Sequence, residues 1–156
     1  MGIAISLRDY LDNAGYDYDV QAHERTSFSI KTAKAGHIPG DQLAKAVILE
    51  DADGYLMAII PSTHKVNLGA LHRQLHRQVG LATEQELADI FDDCELGAIP
   101  AVGQAYGMDV MIDDSLSDQK DIFFEGGKHT DVVHLTGEDF DRLMDKADHA
   151  IFSRHR

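Results

Sequence analysis

The sequence contains one cysteine, Cys94, so no disulfide can close within the chain, and this usage agrees with a reducing compartment. Long hydrophobic runs are missing as well. The longest purely apolar stretch, Tyr55 to Pro61, is about a third of the ~20 residues that a membrane-spanning helix needs. Polar residues appear from Ser6 to Asp9, where a secretory signal would carry its apolar core, and the expectation is a cytoplasmic protein with no membrane partner. Positive charge is scarce: 14 Lys and Arg stand against 27 Asp and Glu, a net charge of −13. That balance excludes a protein that coats nucleic acid by bulk electrostatics, and DNA is not an expected partner. There is no Gly-x-Ser-x-Gly elbow, no P-loop and no His-Glu-x-x-His pair. Internal repeats, low-complexity tracts and interdomain linkers are absent too.

What remains is an ordinary globular composition. Of 156 residues, 44% are hydrophobic and 26% charged, which excludes wholesale disorder and fibrous architectures. A chain of this length buries a sizeable core without staples, and residues 1–156 are expected to form a single domain. Its charge is segregated. Residues 25–83 hold seven bases and four acids, whereas the other segments carry seven bases against 23 acids. From Gly54 to Thr83 there is no acid at all, so an anionic ligand would be received on that part of the chain.

Local signals mark out the elements. Ser6 is placed to cap a helix through Leu7, Tyr10, Leu11 and Ala14 that stops at Gly15. Tyr16 to His23 reads as a strand. Ser29 to Ala35 suggests a second short helix closed by Gly36, followed by a turn at His37 to Gly40. Ala44 to Leu49 and Tyr55 to Ile60, joined through Asp53-Gly54, form the clearest signal, a β-hairpin. Both arms are nearly continuously apolar, so this hairpin is expected at the centre of a sheet covered on both faces.

Asn67 can cap a helix burying Leu68, Leu71, Leu75 and Val79 and ending at Gly80. Thr83 with Glu86 makes a capping box for a helix through Leu87, Ile90 and Phe91. The stretch from Leu96 to Gly107, with Gly97, Pro100, Gly103 and Gly107, is irregular. Strands follow at Met108 to Ile112, Ile122 to Glu125 and Asp131 to Leu135, and Thr136 with Asp139 opens a last helix through Phe140, Leu143 and Met144. The fold class expected is α/β (α+β), with a mixed, largely hairpin-connected β-sheet flanked by helices. No regular strand-helix-strand rhythm supports a Rossmann or barrel design.

Most familiar chemistries are eliminated. Cys94 lies in Asp92-Asp93-Cys94-Glu95, where neighbouring carboxylates suppress a thiolate, so a nucleophilic role is disfavoured. His72 and His76 have the i, i+4 spacing of paired metal ligands, but Arg73 and Arg77 share their helix face and would repel a cation, so a solvated face is the better reading. The runs Asp92-Asp93 and Asp113-Asp114 lack ligand-loop spacing and read as surface. No metal and no cofactor are expected. Three features survive. Lys45 interrupts an apolar strand, where it must reach outward or meet an anion. Gly97-Ala98-Ile99-Pro100 is a stiffened loop able to aim backbone N–H groups at a ligand oxygen, and it reads equally well as a plain turn. Gly126-Gly127-Lys128-His129 sets an imidazole just after a tight turn, where a solvent-facing histidine is the commoner case.

Taken in order, Leu43-Ala44-Lys45-Ala46-Val47-Ile48-Leu49, Leu81-Ala82-Thr83-Glu84, Cys94-Glu95-Leu96-Gly97-Ala98-Ile99-Pro100 and Gly126-Gly127-Lys128-His129 resemble the YbaK/EbsC-type aminoacyl-tRNA deacylases. These are free-standing relatives of the editing domain inserted in bacterial prolyl-tRNA synthetases, and the resemblance runs from about Ser6 to Met144. It implies a helix-flanked mixed sheet and hydrolysis of the ester between a wrong amino acid and the 3′-terminal ribose of a tRNA. It implies a catalytic set of Lys45, Gly97 and His129, with Lys45 beside the terminal nucleotide and the Gly97 to Pro100 loop donating from its backbone. Ala98, Ile99, Pro100, Gly126 and Gly127 are then implied to bind substrate. Lys31, Lys34, Lys65, Arg73 and Arg77 become candidate tRNA backbone contacts. The partner is the aminoacyl-tRNA 3′ acceptor end, with an aminoacyl-tRNA synthetase as a second candidate. At Ala101-Val102 the chain departs from the commonest pattern of that family, which motivates a rival reading as a non-catalytic tRNA- or synthetase-binding adaptor.

Overall fold

The computed structural model describes residues 3–23 and 38–155. The helix and turn read at Ser29 to Gly36 and at His37, and the candidate contacts Lys31 and Lys34, lie outside the described residues.

The hairpin forms the middle of the sheet. Strands β1 (Asp19–Ala22), β2 (Leu43–Asp51), β3 (Gly54–Pro61), β6 (Asp109–Asp113), β7 (Asp121–Glu125), β8 (Asp131–Thr136) and β9 (Asp148–Ala150) run in the order β1-β8-β7-β2-β3-β6-β9, with β5 (Gly80–Leu81) also on β2. The pairs β2–β3, β7–β8, β1–β8 and β2–β5 are antiparallel, whereas β2–β7, β3–β6 and β6–β9 are parallel. The sheet is therefore mixed, as expected. A separate antiparallel ribbon pairs β4 (His64–Val66) with β10 (Ser153–His155).

Side-chain alternation divides the core into layers. Ala44, Ala46 and Ile48 of β2 and Met57 and Ile59 of β3 face one side, where they meet helices α1 (Ile5–Ala14), α3 (Glu84–Ile90) and α4 (Gly137–Leu143) through Leu7, Leu11, Leu87, Phe140 and Leu143. Leu49, Leu56, Ala58 and Ile60 face the other side, against Leu71 of helix α2 (Leu68–Leu75) and Phe152. A smaller cluster of Ile38, Leu43 and Val132, with Phe123 against it, occupies that same second face further along β2. Burial on both faces explains why the hairpin arms are continuously apolar.

The caps mostly follow the sequence. Asn67 accepts from the Ala70 N–H at 3.1 Å, Thr83 and Glu86 form the capping box, and Thr136 caps α4. Two boundaries differ. Helix α1 begins at Ile5 after an Ala4 that makes no side-chain cap, because Ser6 lies inside the first turn and its N–H goes to Asp93 Oδ2 at 2.9 Å. Helix α2 ends early, at His76 in the left-handed region, rather than at Gly80. Among the described residues no helix is long and apolar enough to cross a membrane.

Candidate functional site

Lys45 lies at a seam. Its neighbours on the same face of β2 are Leu43, in the small cluster, and Val47, packed against the larger one, so the ammonium side chain rises between two apolar patches. Its cross-strand partner in β3 is Ile60. On the opposite edge of β2, the parallel pairing with β7 ends at Ala44↔Phe124, and β5 takes over only at Leu49↔Leu81. The sheet thus forks beside Lys45. One register step beyond Ala44↔Phe124 brings Glu125 alongside Lys45, and Glu125 is buried at 3% exposure. Sequence reading placed Glu125 only as the end of a strand. Its signal was an acid closing an apolar strand directly before a glycine pair.

Just past Glu125, β7 gives way to the Gly126 to His129 loop. Gly127 has φ +105°, and an added Cβ would come within 2.7 Å of the Ala4 Cβ. At Gly126 the same addition would meet Ile3 at 2.8 Å. The bare backbone of this pair is thus required by close approach of the segment leading into α1, which is fixed there by an Ala4 N–H bond to the Gly126 carbonyl at 2.7 Å.

The second loop is fastened to the first. Glu95 donates its N–H to the Gly127 carbonyl at 2.7 Å, His129 donates its N–H to Glu95 Oε1 at 2.7 Å, and the His129 ring donates from Nε2 to the Leu96 carbonyl. Because a carbonyl only accepts, Nε2 carries the proton. His129 is buried, and its ring works here as a clasp on the backbone immediately before Gly97. Glu95, a second acid that sequence reading did not single out, is the other half of that clasp.

Gly97 itself is exposed with φ +83°, while Ala98, Pro100, Ala101 and Val102 are buried. The loop is therefore anchored in the core at one end and presented to solvent at the other. The Ala98 N–H closes a turn onto the Glu95 carbonyl at 3.1 Å, and Pro100 has no N–H. Gly97 and Ile99 are then the candidate backbone donors of the loop.

Of the basic candidates, Lys65, Arg73 and Arg77 are all exposed. Arg73 is on α2 and Arg77 just beyond it, on the sheet face that Lys45 shares. Arg77 is ion-paired to Asp51, whose other oxygen accepts from the N–H groups of Asp53 and Gly54 in the hairpin turn. Lys65 is directly opposite Arg154 in the β4–β10 ribbon, so two like charges are held side by side.

Groups set aside by sequence reasoning can now be placed. Burial pushes the Cys94 thiol up to about 12, and the Asp93 carboxylate adds to it, which disfavours the thiolate a nucleophile needs. His72 donates from Nε2 to the Val79 carbonyl at 3.1 Å, and His76 is in the left-handed cap outside the helix, so the two imidazoles do not form a helical metal pair. The acids read as surface are partly interior. Asp113 is 2% exposed and takes N–H bonds from Phe152 and Ser153, each at 2.8 Å, plus the Ser115 N–H and hydroxyl. Asp93 accepts from the Ser6 N–H and the Tyr106 hydroxyl. A loop position in sequence did not mean an exposed position, because these carboxylates collect otherwise unpaired backbone donors.

The mixed sheet thus forks beside a half-buried lysine, with a clasped glycine loop at the end of β7. The chain belongs to the aminoacyl-tRNA editing domain family, whose pattern matches residues 23–143. Among solved structures it is similar to a proposed trans-editing enzyme for prolyl-tRNA synthetase, with a TM-score of 0.82 and 19% identity over 98% of this chain and 99% of that one. A hypothetical protein superposes with a TM-score of 0.84 and 16% identity, covering 96% of this chain and 99% of the other. A proposed signal-transduction protein from Marinobacter aquaeolei VT8 matches at a TM-score of 0.80 and 20% identity over 97% of this chain but 31% of its own length. At these identities the likeness is one of fold. A search of curated proteins returns no significant match.

Proposed function

We propose that this chain hydrolyses the ester between a small, wrongly attached amino acid and the 3′-terminal ribose of a tRNA, acting in trans in the cytoplasm. The observation that carries the reading is the position of Lys45 at the fork of the sheet in a chain of the editing family. Lys45 holds the backbone phosphate of the terminal nucleotide as an electrostatic anchor. The Gly97 and Ile99 N–H groups receive the oxyanion that forms when water attacks the ester carbonyl; the electron pair then returns, the acyl–oxygen bond breaks, and the departing ribose oxygen takes up the proton the water gives up. No triad is required, because an aminoacyl ester is already activated and the vicinal ribose hydroxyl assists. His129 and Glu95 hold the loop in register for this contact. Pocket size selects the amino acid, admitting small residues such as alanine, serine or cysteine and excluding larger ones. An unpaired tRNA end is recognised by shape and local contacts, so the net charge of −13 is compatible with the task.

The test is a deacylation panel: tRNA(Pro), tRNA(Ala) and tRNA(Ser) charged with alanine, serine or cysteine, incubated with the purified chain. Hydrolysis of at least one mischarged species above the spontaneous rate supports the reading, and none on any overturns it. A second reading, a tRNA- or synthetase-binding adaptor, is favoured by the occurrence of this fold as about a third of a longer, differently described chain. It predicts tRNA affinity without turnover in the same panel.

A further inference from the structure

Three side chains far apart in sequence, none of them in the proposed site, converge near the end of the hairpin where β2 begins and β3 ends. In the β4–β10 ribbon, His64 and His155 are directly opposite one another, their rings edge to face with centroids 5.2 Å apart. Asp41, on the short 3-10 turn Gly40–Gln42 that leads into β2, puts Oδ1 3.6 Å from His155 Nε2. One ligand atom from each of the three lies within 4.8 Å of the other two.

We propose that Asp41, His64 and His155 bind one divalent transition-metal ion, of which Zn2+ is the best match, with water as fourth ligand. Two imidazoles and a carboxylate suit zinc, whereas magnesium and calcium prefer all-oxygen sites. Ligand atoms around a tetrahedral zinc are about 3.3 Å apart, given bonds of about 2.0 Å. The side chains of His155 and Asp41 are 66% and 57% exposed, so they can turn inward by the ångström or so this requires. Orienting bonds already exist behind the ligands. Ser153 Oγ meets His64 Nδ1 at 2.8 Å, and the Thr63 hydroxyl donates to Asp41. Alternation along the ribbon sends Lys65 and Arg154 to its opposite face, away from the ion. The bound metal would tie the last strand to the turn that starts β2, the strand bearing Lys45.

The experiment uses the untagged full chain, stripped with a chelator, and Zn2+ alone as probe. Calorimetric titration is expected to give one site of micromolar affinity, and excess Zn2+ is expected to raise Tm by about 5 °C. Co2+ substituted at the same site should give the visible bands of a tetrahedral complex. His64→Ala and His155→Ala should each weaken binding at least about tenfold and remove the Tm gain, with His155→Gln as a milder second variant. His72→Ala should change neither. The proposal is overturned if the wild type binds no Zn2+ at micromolar concentration, or if stoichiometric binding survives in the His64→Ala/His155→Ala double variant. Tetrahedral cobalt bands persisting in that double variant would overturn it equally.

Discussion

The backbone N–H of His129 donates to Glu95 Oε1 at 2.7 Å, and the ring of the same residue donates to the carbonyl of the next residue, Leu96. One histidine thus holds both the side chain and the main chain of the segment that delivers Gly97. If the proposed reading holds, these two bonds make His129 a positioning residue for the loop, which its variants can test.

His129→Ala should lower kcat for deacylation by about 10- to 100-fold with a small change in KM, because the oxyanion donors lose their register. His129→Gln, whose amide N–H can replace the bond to Leu96, should recover most of the rate. An amide cannot act as a general base, so failure of Gln to rescue while global stability is retained would count against a clasp. The readouts are steady-state kinetics and a urea melt.

Lys45→Ala should reduce deacylation by about 10²-fold or more, the scale of losing one fixed electrostatic contact in an active site. Its far-ultraviolet circular dichroism should match wild type, since the strand's apolar residues on either side of Lys45 are unchanged. Full activity in this variant would remove Lys45 from the site.

Cys94→Ala should leave the deacylation rate within about twofold of wild type. With its thiol pushed up to about 12, on the order of one molecule in 10⁴ carries a thiolate at pH 8. Native protein should therefore resist iodoacetamide at pH 8 and label only on unfolding. Rapid native labelling would contradict the burial that raises the thiol.

Asp93 makes stability depend on acid. Burial raises its carboxyl pKa, but the Ser6 N–H and the Tyr106 hydroxyl outweigh this and hold it below the ordinary value. A depressed folded pKa gives stability that is complete above the unfolded value, about 3.9, and is lost as pH falls through the lower folded value. The difference in urea midpoint between wild type and Asp93→Asn should be largest near neutrality and shrink below about pH 4. A difference that grows toward acid would reverse the sign.

Asp113→Ala should cost about 3 kcal/mol, because the Phe152 and Ser153 N–H groups lose a charged acceptor in a buried setting. A surface aspartate would cost no more than about 0.5 kcal/mol. Urea denaturation followed by circular dichroism separates the two.

Much of the fold was legible where the chain speaks locally. The turn at Asp53-Gly54, the capping box of Thr83 and Glu86 and the Asn67 cap each have a signature within four residues, and each forms where expected. The short strands β4, β5, β9 and β10 escaped notice, since two or three residues give no periodicity and their pairing is set by distant partners. For the site, Lys45 stood out as a charge in an apolar strand. Glu125, Glu95 and the Asp41, His64, His155 group did not, because only the folded register brings them to their neighbours.

β7 and β5 pair with separate parts of β2 and leave a stretch of it between them. A gap in strand pairing along β2, unlike a hollow in the interior, leaves the packed layers untouched when the residues beside it change. On the proposed reading, substitutions along that gap would change which acyl group is accepted while the layers beneath keep their packing.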